Sequence, residues 1–477
     1  MKTYIVVFLE LEWYSLNIED FDDFKSSLVS NHRNTIITFQ TSDIIREYKS
    51  KDKKILPTII DLESFDKQMS QEGKEFRDYD NWKALNFLRR YKIIDSEFKL
   101  TKGNVKLFLE HLASLYKLLL DKDEIEASRF TNLEIAINKI IHSRQMQGVR
   151  VNLEIAKNRC VELEKKIYTI KNQLQLQHKI FTPDDFETQE HYLNKKKFKI
   201  IQSLYYSFKI RRKGDEICNL FYELIRNQQD LESLLHILAH WGGKERTYPL
   251  YIGFGTITSR IILHQPSLQN LRKSNRDIII PDVGMKLLYI DYSQFEAGIL
   301  ASLSNDSLLI DLYNSDIYSD LAEKVLGNKA DRKEAKIVFY RYMYGDTTLS
   351  KEAVTYFQKF KILGKYKSQI EEELKINNKI GSNNGNYRFS LNIESNWALS
   401  HKIQSSASLI YKIALIRVYE EVKSAQLLIP MHDGTLYQIN EDIYDISKKR
   451  IESIYKNVFK NACPQIEPNL TCSDIFQ

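Results

Sequence analysis

Three short segments carry residue types that can do chemistry together. The first is Leu287-Leu288-Tyr289-Ile290-Asp291-Tyr292-Ser293-Gln294-Phe295-Glu296. An apolar run ends in an acid and then passes into a helical pattern of Ile299, Leu300 and Leu303. An Asp at the end of a buried strand presents its carboxylate at a sheet edge, which suits a hard cation such as Mg²⁺. Two plainer readings stand beside this one. Asp291 is a turn residue in the first. In the second, Ser293 and Glu296 form a capping box, S-x-x-E, and Glu296 is structural.

The second segment runs from Asp331 to Gly345. Asp331 and Glu334 fit a capping box that starts a helix, and Gly345 is a natural stop. Arg332, Lys336, Tyr340 and Tyr344 recur every four residues. They lie on one slowly winding helix face about 18 Å long. Two cations near a helix N-terminus suit a polyphosphate, and two aromatics further along suit a base or sugar. The plainer reading is a surface helix with a core stripe of Ile337, Tyr340 and Tyr344. The third segment is Leu427-Leu428-Ile429-Pro430-Met431-His432-Asp433-Gly434-Thr435-Leu436-Tyr437-Gln438-Ile439. Two apolar strands flank Asp433-Gly434, a strong hairpin-turn dipeptide, so Asp433 could simply make the turn. The order of the three segments adds weight to the chemical readings. Two acids at strand ends can bridge two metal ions roughly 4 Å apart and stabilise both oxygens of an in-line phosphoryl displacement. A cationic helix between them supplies charge for a triphosphate.

The elements that must position these groups belong to a chain of 477 residues, enough for two to four domains. Hydrophobic residues are 43% and charged residues 28%, as in ordinary globular proteins, so disorder as the main theme is disfavoured. Gly (16) and Pro (8) are scarce, which disfavours collagen-like and turn-dense all-β architectures. The net charge of +6 permits a nucleic-acid partner without showing one. Cys160, Cys218, Cys463 and Cys472 form no CxxC pair, so neither a zinc ribbon nor a disulfide framework is indicated, and a reducing compartment fits. The apolar run at the start is broken by Glu10 and Glu12 and reads as no signal peptide, and no membrane span is expected.

Residues 1–125 read as mixed α and β, with strands at Tyr4–Phe8, Thr35–Phe39 and Leu56–Asp61 and a helix through Val105–Leu119. From about Asn132 to Ile237 the pattern is helical, with Asn152 as an N-cap. This stretch holds two basic clusters: Lys195, Lys196, Lys197 and Lys199, then Lys209, Arg211, Arg212 and Lys213. They read either as a solvated helix face or as contacts to a phosphate backbone. Residues 250–300 switch to strands and turns. Residues 305–425 are mainly helical, with a polar loop around Ile380–Arg388. A hairpin at 427–439 and a helix at about Tyr444–Phe459 follow.

With these motifs in view, residues 130–477 resemble a family A DNA polymerase, the family of bacterial DNA polymerase I. Its motif A, DYSQIELR, is matched from Asp291 to Glu296. Its motif B, RxxxKxxx(F/Y)xxxYG, is matched by Arg332, Lys336, Tyr340, Tyr344 and Gly345. His432 and Asp433 match the start of motif C, HDE. An upstream motif, TGRxxxxxPNLQN, is echoed by Thr258-Ser259-Arg260 and Pro266-Ser267-Leu268-Gln269-Asn270. The resemblance implies an α+β, multidomain right-hand fold, with an antiparallel palm sheet and helical thumb and fingers. It places the thumb at 126–248, palm at 249–304 and 399–477, fingers at 305–398, and a reduced exonuclease-like α/β domain at 1–125.

The resemblance also implies template-directed addition of dNTPs to a primer 3′-OH, in replication or repair. Asp291, Asp433 and the Tyr292 carbonyl would hold two Mg²⁺ ions, with Mn²⁺ able to substitute. Arg332 and Lys336 would bind the triphosphate, and Lys336 would protonate the leaving pyrophosphate. Tyr340 would pack on the sugar, and Gln294 and Tyr318 would complete the nucleotide site. Glu296 would exclude a ribose 2′-OH. Arg260, Gln269, Asn270, Tyr344, Gln404 and His432 would meet the primer–template, as would Lys196, Lys197, Arg211 and Arg212 on the thumb. The departures are specific. Ala297-Gly298 replaces Leu-Arg in motif A, and Gly434 replaces Glu in motif C. Tyr318 replaces a triphosphate His, Ser259 replaces Gly, and Ser400 replaces Asn.

In the N-terminal region the nuclease acids would be Glu10, Glu12, Asp43 and a group near Glu110, a poor match, so little or no proofreading is expected. A cytoplasmic monomer is expected, with any processivity partner unidentified. Three rivals remain open. One is a single-subunit RNA polymerase, against which Glu296 and the DYSQ motif argue. Another is a specialised or template-independent polymerase of a mobile element or defence system. The third is a catalytically silent DNA-binding scaffold.

Overall fold

The computed structural model describes residues 2–29, 31–53, 55–70, 83–201, 203–239, 245–390 and 395–476. The chain divides into two compact units. One comprises Met1–Gln147, Tyr251–Ile262 and Gly284–Asp474, and the other Gly148–Leu250, Leu263–Val283 and Ile475–Gln477.

Two larger sheets organise the first unit. Near the N-terminus, Thr3–Leu9 and Glu12–Asn17 form an antiparallel hairpin, and Thr35–Thr38 and Thr58–Asp61 add parallel strands on the other side. Side chains alternate across this five-stranded sheet. Ile5, Val7, Ile37 and Ile60 face a core shared with helix Val105–Lys122. Tyr4, Val6, Ile36 and Ile59 face the opposite core, with helix Thr41–Ser50. This period of two is what a sheet covered on both faces requires. The expected strands are present. The Glu12–Asn17 strand is an addition, because the acids at its start obscured its alternation.

The second sheet is antiparallel and carries the motifs. Met285–Tyr292 lies between Gly434–Asn440 and Leu470–Ser473, with Ala425–Pro430 outside. Its central strand is apolar on both faces, with Leu287 to Ile290 all buried. Helices Ala398–Glu421 and Tyr444–Ala462 pack on the sheet, and Phe295–Ser304 packs against Ala398–Glu421. The segment around Ile380–Arg388, expected as a polar loop, is instead a hairpin of Lys379–Ser382 and Gly385–Phe389. It is tied to the N-terminal region by Lys379–Asp123 at 3.2 Å and by the Tyr387 N–H donating to Glu126 at 2.7 Å. Short polar strands docked by such long-range contacts leave no local hydrophobic period.

The second unit is helical. Leu153–His178 packs against Glu216–Ala239, with Leu174, Leu193, Phe208, Phe221 and Leu224 buried between and around them. Asn152 caps the first helix as expected, its side chain accepting from the Ile155 N–H at 3.1 Å. No helix among the described residues is long and apolar enough to cross a membrane.

Candidate active site

Asp291 is the penultimate residue of the central strand and pairs in register with Gly434. Asp433 sits in the turn that precedes Gly434, and its carbonyl accepts the Tyr292 N–H at 3.0 Å. Strand pairing therefore brings the two acids together without help from any side chain. Burial and the adjacent Asp433 carboxylate push Asp291 up to about 8, while the charge of Lys336 opposes the shift. The Asp291 Oδ1 is buried and has no hydrogen-bond partner.

The Asp433-Gly434 dipeptide does not make the turn in the manner expected. The Met431 N–H donates to the Gly434 carbonyl at 2.8 Å, so His432 and Asp433 are the central residues. Gly434 is the first residue of the next strand and is not among the positive-φ glycines. Glycine is required for a different reason. A Cβ at 434 would lie 2.5 Å from Asp291 Oδ1 and 2.7 Å from the Ile290 carbonyl. The absent Glu of motif C thus coincides with a close approach of two strands at the acid pair. Gly298 behaves likewise: a Cβ there would lie 2.8 Å from the Tyr313 ring and 3.0 Å from the Phe459 ring. Ala297-Gly298 lets the helix Phe295–Ser304 pack flush, where a larger side chain would hold it off.

The Ser293/Glu296 capping box does not form. The helix begins after Gln294, which has a left-handed backbone and makes no side-chain cap. Ser293 instead faces Thr471 across 3.3 Å, and Arg260 donates to Glu296 Oε1 at 2.5 Å. Glu296 is buried, which raises its carboxyl against the opposing pull of Arg260, and its Oε2 has no partner. Gln294 bridges backbone groups: its Nε2 donates to the Tyr313 carbonyl and its Oε1 accepts the Ile317 N–H, both at 3.1 Å. The Tyr292 side chain is turned into the core, stacked on Phe295 at 4.4 Å, so its backbone is what it offers the site.

Helix Arg332–Met343 forms as expected, although the Asp331 side chain makes no cap. Arg332 holds Asp316 with Nε at 2.5 Å and Nη2 at 3.2 Å. Tyr318, expected to meet the nucleotide directly, is buried beneath the cations. Arg332 lies 5.2 Å and Lys336 5.9 Å from its ring centroid, and Lys336 is 5.8 Å from that of Tyr340. Gln404 donates to the Tyr344 hydroxyl at 2.9 Å, so these two expected DNA contacts meet each other. His432 is exposed at the turn.

Asp291, Asp433, Lys336, Arg332, Tyr340, Tyr318, Gln294, Glu296, Arg260, Tyr344, Gln404 and His432 all belong to the first unit. The other expected DNA contacts belong to the second. There Gln269 accepts the Leu263 N–H at 3.0 Å, and Asn270 ends a short 3₁₀ turn. Lys196 pairs with Asp215 at 3.5 Å, while Lys197 is exposed. Arg211 donates to the Ser207 and Lys199 carbonyls at 2.8 and 2.7 Å, and Arg212 lies over the Tyr222 ring. The exposed lysines offer charge outward, and these two arginines knit the unit together.

Two buried networks escaped the reading of the sequence. Arg129, Glu134, Lys412 and Ser259 converge beside Arg260. Tyr411, Thr435 and Tyr455 form a hydroxyl chain beneath Gly434, in which Tyr411 donates to the Gly434 carbonyl at 2.8 Å. The available signal was a lone lysine in an apolar helix stretch, Leu409-Ile410-Tyr411-Lys412-Ile413-Ala414-Leu415.

The donor set fits Mg²⁺. Two close carboxylates, one with an unpartnered buried oxygen, repel each other and offer hard oxygen ligands. Among the described residues no group of three or more His, Cys, Asp or Glu converges on a metal position. Two acids and a carbonyl suffice for an ion that keeps waters and substrate phosphates. The N-terminal acids Glu10, Glu12, Asp43 and Glu110 form no such group. Glu10 has a positive φ in the hairpin turn, Glu12 pairs with Lys102 at 3.0 Å, and Asp43 with Arg46 at 3.2 Å.

Comparison with known proteins bears on the family and the fold. Part of the chain is 30% identical to the DNA polymerase I of Caldicellulosiruptor bescii over 265 residues, covering 46% of this chain and 31% of that protein. It is 24% identical to the DNA polymerase I of Aquifex aeolicus over 258 residues, covering 46% of this chain and 45% of that one. The matched segment thus spans less than half of these relatives' length. The solved POL domain of Pol1 from M. smegmatis, in complex with DNA primer-template and dNTP, superposes with a TM-score of 0.80 at 16% identity. That match covers 99% of this chain and 95% of that one, and it establishes the polymerase-domain fold. Residues 141–467, more than half of the chain, match the family model for DNA polymerase family A, and the chain belongs to that family.

Proposed function

We propose that the chain is a template-directed DNA polymerase that adds dNTPs to a primer 3′-OH. The observation that carries this reading is the Asp291–Asp433 pair at adjoining strand ends, within electrostatic reach of Lys336. Asp291, Asp433 and the Tyr292 carbonyl would hold two Mg²⁺ ions, with Mn²⁺ able to substitute. When bound, the metal supplies positive charge for the attacking and leaving oxygens.

The chain's own residues do the rest. Arg332 exchanges Asp316 for phosphate oxygens, and Lys336 donates a proton to the departing pyrophosphate oxygen. The Tyr318 ring supports both cations from below. Tyr340 packs on the deoxyribose, and Glu296, held by Arg260, leaves no room for a 2′-hydroxyl. The exposed lysines of the second unit contribute phosphate contacts. Little or no proofreading is expected in this reading, because Glu12 and Asp43 pair elsewhere and the N-terminal acids form no metal-binding group among the described residues.

Primer extension with Mg²⁺, primer–template and dNTPs tests the proposal. Templated extension by the wild type and none by Asp433→Ala is expected. Identical behaviour of the two, or extension of a single strand without template, overturns it.

A further inference from the structure

Ser259 occupies a backbone position that favours glycine, with φ 63. A serine there carries a steric cost, and its hydroxyl makes full use of the position. Arg129 Nη2 donates to Ser259 Oγ at 2.8 Å and Lys412 Nζ at 2.6 Å, and Oγ donates onward to Glu134 Oε1 at 3.0 Å. Lys412 also reaches Glu134 Oε2 at 2.6 Å and the Gly253 carbonyl at 3.0 Å. All four residues are essentially sealed from solvent. Burial, reinforced by Arg129 and opposed by Glu134, pulls Lys412 down to about 8. Both cations face the Phe254 ring, at 5.8 and 5.7 Å.

The backbone around this hub is pinned on both sides. The Ser259 carbonyl accepts from Ser408 Oγ at 2.7 Å, and the Ser259 N–H donates to the Thr256 carbonyl at 2.8 Å. The Arg260 N–H donates to Thr256 Oγ1 at 3.1 Å, and its carbonyl accepts the Gly255 N–H at 2.9 Å. Arg260 then holds one oxygen of Glu296 while the other has no partner. The position of the Glu296 carboxylate therefore depends on where Arg260 is anchored.

We propose that Ser259 is a specificity-determining positioning residue. Through its hydrogen-bonded hub it fixes Arg260, and Arg260 fixes Glu296 where it rejects a ribonucleotide. This inference rests on the polymerase reading and on Glu296 as the sugar gate. A purely structural Ser259 makes a different prediction: losing its hydroxyl from the buried hub changes stability and leaves the choice of sugar unchanged.

The test measures single-nucleotide incorporation by the full chain with dNTP and with rNTP, as the ratio of the two kcat/KM values. Variants are Ser259→Gly, Arg260→Gln and Glu296→Ala, each checked for thermal midpoint. The expected result is a ratio lowered about tenfold in Ser259→Gly, with folding intact, and at least as much in Arg260→Gln. An unchanged ratio in Ser259→Gly overturns the inference while leaving the polymerase reading in place. An unchanged ratio in Glu296→Ala overturns the gate and the inference with it. A wild type that incorporates neither nucleotide overturns the polymerase reading itself.

Discussion

Restoring the acid that motif C lacks should impair this protein. At Gly434 the first added atom, Cβ, would lie 2.5 Å from Asp291 Oδ1, 2.7 Å from the Ile290 carbonyl and 3.0 Å from Asp291 Cβ. Two of these neighbours belong to the proposed metal-binding side chain and one is backbone, so none can swing aside freely. Either the strands separate or Asp291 moves. Overpacking of this kind costs about 1–3 kcal/mol of stability. A displacement of about 1 Å at a reacting centre costs roughly 10²-fold in rate.

Gly434→Ala isolates the steric effect, and Gly434→Glu adds a charge beside a carboxyl that burial and Asp433 already hold near 8. The assay is single-turnover dNTP incorporation, with thermal unfolding measured in parallel. Gly434→Ala should lose at least tenfold in kcat with little change in dNTP KM, and Gly434→Glu should lose no less. Wild-type turnover in Gly434→Ala, or a faster Gly434→Glu, would refute the steric account.

Gly298→Arg, which restores the motif A residue, should lower stability by about 1–3 kcal/mol in thermal or urea unfolding, because Tyr313 and Phe459 fill its space. Tyr411→Phe removes the hydroxyl bonded to the Gly434 carbonyl and Thr435. It should cost about 1 kcal/mol in urea unfolding and lower kcat more than it raises dNTP KM. His142 and His401 are buried, and burial pulls them down to about 3 and about 4. The unfolded chain then binds more protons than the folded one below pH 6.5, so stability should fall as pH drops from about 6.5 to 4. Each histidine contributes up to about 3 kcal/mol to that loss. His142→Leu should flatten the pH dependence of the urea midpoint, and an unchanged slope would count against the buried neutral imidazole.

Asp291 was legible because it lies at the end of an apolar strand and Asp433 because it lies in the turn between two apolar strands, and strand pairing places both without further information. The spacing of Arg332, Lys336, Tyr340 and Tyr344 likewise fixes one helix face. The Ser293/Glu296 capping box misled because both side chains meet partners far away in sequence, Thr471 and Arg260, and tertiary contacts override local preference. The Asp433-Gly434 dipeptide pointed to a hairpin at the right place for the wrong reason: its glycine serves a close approach to Asp291. The Ser259 and Tyr411 networks join residues more than a hundred positions apart, or lie beneath a turn, and no local pattern encodes them. The hairpin at 379–389 was invisible for the same reason, since its docking partners Asp123 and Glu126 lie far away in sequence.

The most direct measurement is incorporation of each dNTP opposite each of the four template bases, with Mg²⁺, by the wild type and by Asp291→Asn and Asp433→Asn. The account predicts incorporation that follows the template, requires the divalent ion and falls by several orders of magnitude in both variants. Incorporation that ignores the template base, or persists in either variant, would contradict it.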